Sequence, residues 1–220
     1  MKSNNSLFNW LIILLALSPL IYLASIWSSL PGIIPVHYDL NFKPDKMGSK
    51  NSMWIWTAIL SGVSLLVYFS LTNIRKFDPK QRKLPPSSTF TRLAVVIAVF
   101  VTILNFLILI AVKDNTKAMG KLLFPLLGLL FAFIGNYMVN LKPNYFAGIR
   151  LPWTLSSDYN WKKTHQFAGK LWFWAGLISA ALCLFFPQFK IIFFGILIFI
   201  ILIPIIYSYR IYKEEFKNVN

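Results

Sequence analysis

His37, Asp39 and Asp45 lie within nine residues and offer an imidazole and two carboxylates, a donor set that can hold a divalent cation. Aspartate is also a turn residue on its own account. The cluster is therefore read as a turn first, and no metal or other cofactor is expected. The only other histidine is His165. Catalysis there needs converging acid or base partners, and no second histidine lies nearby in sequence. A hydrogen bond to the segment Gly148–Thr154 is the expected use of its ring. Arg150 is bracketed by Gly148 and Pro152. The glycine favours a turn and Pro152 drives Leu151 into an extended conformation, so the guanidinium sits on a constrained backbone. It can bond lipid phosphate, a backbone carbonyl or a partner carboxylate. The sequence has no nucleophile–base pair, phosphate-cradling glycine loop or HExxH pattern, and no enzymatic activity is expected.

The elements that position these groups follow from composition. The 220 residues are 57% hydrophobic and 13% charged, with a mean hydropathy of +0.61. Soluble domains carry roughly twice that charged share, so the surplus apolar surface must face lipid. Six runs, Leu7–Trp27, Met53–Leu71, Leu93–Val112, Leu122–Leu141, Leu171–Phe189 and Ile191–Tyr209, contain no Asp, Glu, Lys, Arg or His. Each is near the roughly 20 residues that cross a bilayer core as a helix, and too long for a barrel strand. The expected fold is an all-α integral membrane protein, a bundle of about six transmembrane helices. Leu7–Trp27 is read as an uncleaved first span, being long for a signal segment and lacking a small-x-small cleavage site. Pro19, Pro125 and Pro204 fall inside spans and should kink them, and Pro187–Lys190 should form a tight hairpin.

A net charge of +15 first suggests a nucleic-acid partner. The basic residues sit in short stretches between apolar runs, however, which is the pattern of the positive-inside bias, and no direct nucleic-acid binding is expected. With both termini inside, 15 of the 22 Lys and Arg residues are cytoplasmic and 7 external. Trp10, Trp27, Trp54, Trp56, Trp172 and Trp174 near span ends are read as interfacial anchors. Cys183, the single cysteine, lies in an apolar run and has no intrachain disulfide partner. The expected organisation is an N-terminal two-span unit with an outer loop (1–75), a basic cytoplasmic linker (76–92) and a four-span membrane domain (93–220) with an inner loop (142–170). In the inner loop, Ser157 is a plausible N-cap with Asp158 in the first turn. Helical spacing then puts Trp161, Thr164, His165, Ala168 and Trp172 on one face, and Lys162, Lys163, Gln166 and Lys170 on the other.

The second half of the chain carries a dense set of motifs: Gly135-Asn136, Pro143-Asn144, the run Gly148-Ile149-Arg150-Leu151-Pro152-Trp153-Thr154-Leu155, and Trp161, Thr164, His165, Gly169, Leu171 and Trp172. In order and spacing this resembles the SdpI family, membrane immunity proteins against the sporulation-delaying-protein toxin. The outer segment Ile34-Pro35-Val36-His37-Tyr38-Asp39, followed by Pro44-Asp45-Lys46-Met47-Gly48-Ser49-Lys50, resembles the IPxHF…GxPDxxGSK segment of a domain of unknown function often found upstream in this family. Tyr38, Asp39 and Phe42 stand where phenylalanine, asparagine and glycine are usual. The resemblance implies a multi-pass protein of the bacterial cytoplasmic membrane that protects its cell from a membrane-active peptide toxin. In some members it also implies recruitment of a cytoplasmic transcriptional repressor. On this reading Asn136, Asn144, Gly148, Arg150, Pro152, Trp153, Thr154, Trp161, Thr164 and His165 form the inner response surface. Pro35, His37, Asp39, Pro44 and Asp45 are the outer-loop counterpart. The alternative is a small-solute or peptide transporter or channel, with Asn105, Asn136 and Asn140 lining a polar path; spans without ionisable residues count against it. Topology is tested by single-cysteine labelling in a Cys183→Ala background. Ser87→Cys and Ser157→Cys should resist impermeant reagent in intact cells while Asn51→Cys reacts, and labelling of Ser157→Cys would overturn the orientation.

Overall fold

The computed structural model describes residues 3–39, 41–85, 87–114, 118–186 and 190–217. Six long helices appear where the apolar runs demand them: α1 (Ser3–Ile26), α2 (Ser52–Thr72), α5 (Ser88–Asp114), α6 (Ala118–Met138), α8 (Asp158–Phe185) and α9 (Lys190–Lys217). All six are long and apolar enough to cross a membrane, and the chain is a multi-pass membrane protein. Three short helices, α3 (Ile74–Phe77), α4 (Pro79–Lys83) and α7 (Pro152–Ser156), occupy what the sequence presents as loops. Pro19, Pro125 and Pro204 lie inside α1, α6 and α9. The hairpin expected at Pro187–Lys190 falls largely on residues 187–189, outside the described ones.

The outer loop departs from the all-helical expectation. Strands β1 (Ile33–Tyr38) and β2 (Pro44–Ser49) pair antiparallel, from Ile33 opposite Ser49 to Tyr38 opposite Pro44. Ile33, Ile34, Val36 and Tyr38 have β-branched or aromatic side chains, and the prolines in the strands occupy tolerated sites. Pro44 opens its strand, and the register slips between Pro35 and His37. A bulge absorbs the donor that proline lacks.

By packing, the chain divides into two compact units that are not contiguous blocks. The first comprises Met1–Phe69 and Ala94–Leu123, so most of the third long helix groups with the first two rather than with the last three. Its core joins Leu23, Ile26, Leu30, Ile34, Met53, Leu109 and Val112. Ile34 is fully buried there and seats the hairpin on the helices. Two polar side chains within the spans find partners in the same unit, while the buried Thr57 Oγ1 has none among the described residues. Tyr68 Oη donates to Asn9 Oδ1 at 2.7 Å, and Asn105 Nδ2 to the Thr57 carbonyl at 3.2 Å.

The second unit comprises Ser70–Leu93 and Phe124–Asn220. It contains a close backbone seam between α6 and α8. A Cβ added to Gly135 would lie 2.5 Å from Phe173 N and 2.7 Å from the Gly169 carbonyl oxygen. One added to Gly176 would lie 2.5 Å from Ala132 N, and one on Gly128 2.7 Å from Ala180 N. The glycines recur at seven-residue intervals on each helix, Gly128 and Gly135 on one, Gly169 and Gly176 on the other. Small residues on one face let two backbones touch, which gains dispersion contact where lipid offers no hydrophobic drive. Gly135→Val must push the helices apart, and we expect a cost of about 3 kcal/mol or more. The check is the yield of monodisperse protein in detergent, with Gly62→Val as reference because nothing lies within 4 Å of that position. Equal behaviour of the two variants would dismiss the seam.

Candidate functional site

The segment 76–92, expected to be a basic cytoplasmic linker, is instead folded against the inner loop. Asp78-Pro79 is a helix-start pair, with a capping carboxylate and a proline at the first helical position. Asp78 Oδ1 accepts from the backbone N–H groups of Lys80 and Gln81 and caps α4. Its Oδ2 accepts from Tyr145 N–H at 2.7 Å, and Asp78 is fully buried. Beside it, buried Gln81 donates from Nε2 to the Pro143 carbonyl at 2.8 Å. Lys80 Nζ donates to the Leu155 carbonyl and sits over the Tyr145 ring. A stretch read as basic and soluble is thus pinned by its one acidic residue, since a buried carboxylate with three N–H donors is stable where a bare one is not.

The inner loop is organised around Asn144. Its Nδ2 donates to the carbonyls of Lys142 and Ala147, and its Oδ1 accepts from Phe146 and Ala147 N–H, which uses the amide's whole capacity. Gly148 has φ near +100°, a conformation that side chains disfavour. A Cβ there would also lie 2.3 Å from His165 Nε2. That clearance lets the imidazole reach the loop. Ile149 N–H donates to His165 Nε2 at 3.0 Å, so Nδ1 carries the proton and donates to the Trp161 carbonyl at 2.8 Å. The ring is buried and stacked on Trp161, with centroids 4.0 Å apart. Both nitrogens are occupied, which leaves no free base or metal ligand at this residue.

Trp161 Nε1 donates to the Leu141 carbonyl at 2.8 Å. Thr154 Oγ1 accepts from Leu151 N–H at 2.9 Å and donates to the Ile149 carbonyl at 2.8 Å. Thr164 donates to Asn160 Oδ1, and Asn160 Nδ2 donates to the Ser208 carbonyl on α9 at 3.0 Å. Pro152 opens α7, whose Trp153 donates from Nε1 to Ser208 Oγ at 2.9 Å and packs on Tyr209 and Tyr212. Ser157 accepts from Asn160 N–H as the N-cap of α8 and donates to Glu215 at 2.6 Å.

Of the ten inner residues singled out by sequence, Asn144, Thr154, Trp161, Thr164 and His165 are buried. Gly148 and Pro152 are exposed, and Trp153 is half-buried against α9. Asn136 is exposed on α6 and does not join the cluster. Arg150 is exposed and donates to the Tyr145 carbonyl, and its remaining N–H groups have no acceptor among the described residues. The exposed rim around it is Tyr145 and Phe146. Lys162, Lys163 and Lys170 point away from the buried face, as their spacing requires. Sequence reasoning missed Asp78, Gln81, Asn160 and Ser208. The Asp-Pro pair was the one signal available, and the other three act over distances that no local pattern encodes.

In the outer hairpin the three candidate ligands part company. His37 Nδ1 pairs with Asp45 Oδ1 at 2.6 Å across the strands. Asp39 is engaged in the turn, where its Oδ1 accepts from Asn41 and Lys43 N–H at 2.8 Å. Among the described residues there is no group of three His, Cys, Asp or Glu able to hold a metal ion. Phe42, where a glycine is usual, has φ of 57° and so takes the left-handed conformation that glycine would adopt at lower cost.

Removing the central carboxylate tests the inner arrangement. Asp78→Ala leaves three N–H groups, one buried and two part-buried, without their acceptor and should cost roughly 2–3 kcal/mol. Thermal unfolding of the purified protein should show it, with a smaller loss for Asp78→Asn, which keeps one acceptor oxygen. No change in either variant would mean that the carboxylate does not hold the loop.

The model of the SdpI/YfhL protein family matches residues 140–208. That of a domain of unknown function, DUF1648, matches residues 14–60. The chain is 28% identical over 190 residues to "Immunity protein SdpI" of Bacillus subtilis (strain 168), an alignment covering 86% of this chain and 88% of that protein. No solved structure matches it. The hydrogen-bonded inner loop therefore coincides with a family segment, and the outer hairpin with the upstream one. The chain is a multi-pass membrane protein in which a segment that matches the DUF1648 model precedes one that matches the SdpI/YfhL model.

Proposed function

We propose that this chain is a non-enzymatic membrane immunity protein, protecting its cell from a membrane-active peptide toxin, and that its inner loop signals to a cytoplasmic repressor. The observation that carries the protective reading is the similarity to an immunity protein over most of both chains. The signalling part rests on the loop's division of labour. Asn144, Thr154 and His165 face inward with satisfied bonds, so they hold the loop rather than contact a partner. Tyr145, Phe146 and Arg150 form an exposed rim with unused guanidinium donors, a surface able to take an aromatic contact and a carboxylate. A loop tied to three helices can change that rim when helix packing changes.

The inner face of the protein is taken as cytoplasmic, following the basic-residue bias. Arg150→Ala and Phe146→Ala should abolish repressor recruitment at unchanged membrane abundance, and Arg150→Lys should fail with them because an ammonium lacks the fork geometry. Trp153→Ala should reduce protection by undocking α7 from α9. The readouts are survival of toxin-exposed cells and retention of the repressor in the membrane fraction, each normalised to abundance. Survival indistinguishable from cells lacking the protein, in the parent itself, would refute immunity. Unaltered recruitment by the Arg150 and Phe146 variants would refute the rim.

A further inference from the structure

We propose that the cleft between the end of α6 and the first two turns of α8 binds the phosphodiester headgroup of an anionic membrane lipid. The cleft has a volume of about 320 Å³ and lies within the second compact unit, with Asn140, Lys142, Asp158, Trp161, Lys162 and Gln166 in its lining. Its depth is set by the helices. The α6 span ends at Met138, two residues before Asn140. The 28 residues of α8 extend roughly 42 Å at 1.5 Å per residue, about 12 Å more than a bilayer core of about 30 Å. The polar residues Asp158, Lys162 and Gln166 occupy the first turns of α8, so the surplus falls at that end, where headgroups lie.

The lining chemistry fits one class of ligand. Lys142 and Lys162 supply two ammonium groups and Asp158 one carboxylate, a net charge of +1 opposite the single negative charge of a phosphodiester. Lys142 Nζ gives one N–H to the Pro85 carbonyl at 3.1 Å and keeps two others, while the Lys162 ammonium has no partner among the described residues. The side-chain amides of Asn140 and Gln166 are likewise without partners there. Asp158 opposes a bare phosphate but accepts from the hydroxyls of a glycerol headgroup, which selects phosphoglycerol over inorganic phosphate. Val139, Leu141 and Pro143 form an apolar wall for the lipid's own glycerol and first acyl carbons. Basic pockets at the cytoplasmic ends of spans are the setting in which anionic headgroups are held.

The site is independent of the immunity reading, and its test reads binding alone. The full-length protein in nanodiscs of equal phosphatidylglycerol, phosphatidylethanolamine and phosphatidylcholine is released into the gas phase, and the lipids it retains are counted by native mass spectrometry. Phosphatidylglycerol should be enriched. Lys142→Gln and Lys162→Gln should each lower its retention roughly fivefold, at unchanged melting temperature. Lys163→Gln with Lys170→Gln, exposed on the same helix but outside the cleft, should leave it unaltered. An equal loss in that control would show diffuse surface charge and overturn the proposal, as would no loss in the cleft variants. Equal retention of the three lipids would remove the charge selection. Displacement of phosphatidylglycerol by millimolar inorganic phosphate would assign the cleft to free phosphate instead.

Discussion

Backbone contact between α6 and α8 is the constraint on which the second unit rests. With Gly135 and Gly169 touching, and Ala132 against Gly176, the separation of the two helices is set by main chain rather than by adaptable side chains. Nothing in the lipid drives such helices together by the hydrophobic effect, so close packing and polar bonds must do it. The seam ends where α6 ends, and it delivers Trp161 within 2.8 Å of the Leu141 carbonyl. From there the order of the inner loop follows: Trp161 stacks on His165, and His165 reaches the Ile149 amide through the gap that Gly148 leaves. A wider helix pair would break each of these contacts in turn.

The second theme is the treatment of polar backbone at a membrane edge. A loop of 13 residues separates α6 from α7, and its N–H and C=O groups lie close to lipid, where unpaired groups are costly. Asn144 and Thr154 each make two or more bonds to that backbone, and His165 and Asp78 accept one N–H from it each. The residues that look most like chemistry in the sequence are therefore mostly structural. His165 and Asp78 each accept a main-chain N–H of the loop. What stays exposed in the inner loop is a rim of aromatic and guanidinium groups at Tyr145, Phe146 and Arg150. That is a surface suited to recognition, since Arg and aromatic side chains dominate protein interfaces.

The outer hairpin solves a similar problem by different means. Its strand order gives the loop internal hydrogen bonds, and Ile34 anchors it in the core of the first unit. Lys50 Nζ caps the Trp27 and Leu30 carbonyls and lies 4.6 Å from the Trp27 ring centroid, closing the short turn that follows α1. The strained Phe42 turn persists because both its flanks are held by strand pairing and by Asp39.

The sequence by itself determined the number and approximate extent of the long helices, because burial in lipid requires uninterrupted apolar runs and satisfied backbones. It also determined which face of the early α8 is buried, because Trp161, Thr164 and His165 share one helical stripe, and that Ser157 starts the helix. Tertiary structure alone decided the rest. The outer segment was expected as a loop within an all-helical fold, yet Ile34 found a core to face and the segment paired as a strand. Residues 76–92 read as a basic linker from their charge, yet Asp78 found Tyr145, which is 67 residues distant in sequence. Asp39 belongs by composition with His37 and Asp45, but its nearest N–H donors lie in its own turn. In each case the deciding partner is remote or conformational, and neither periodicity nor composition records which group a side chain meets once the helices have packed.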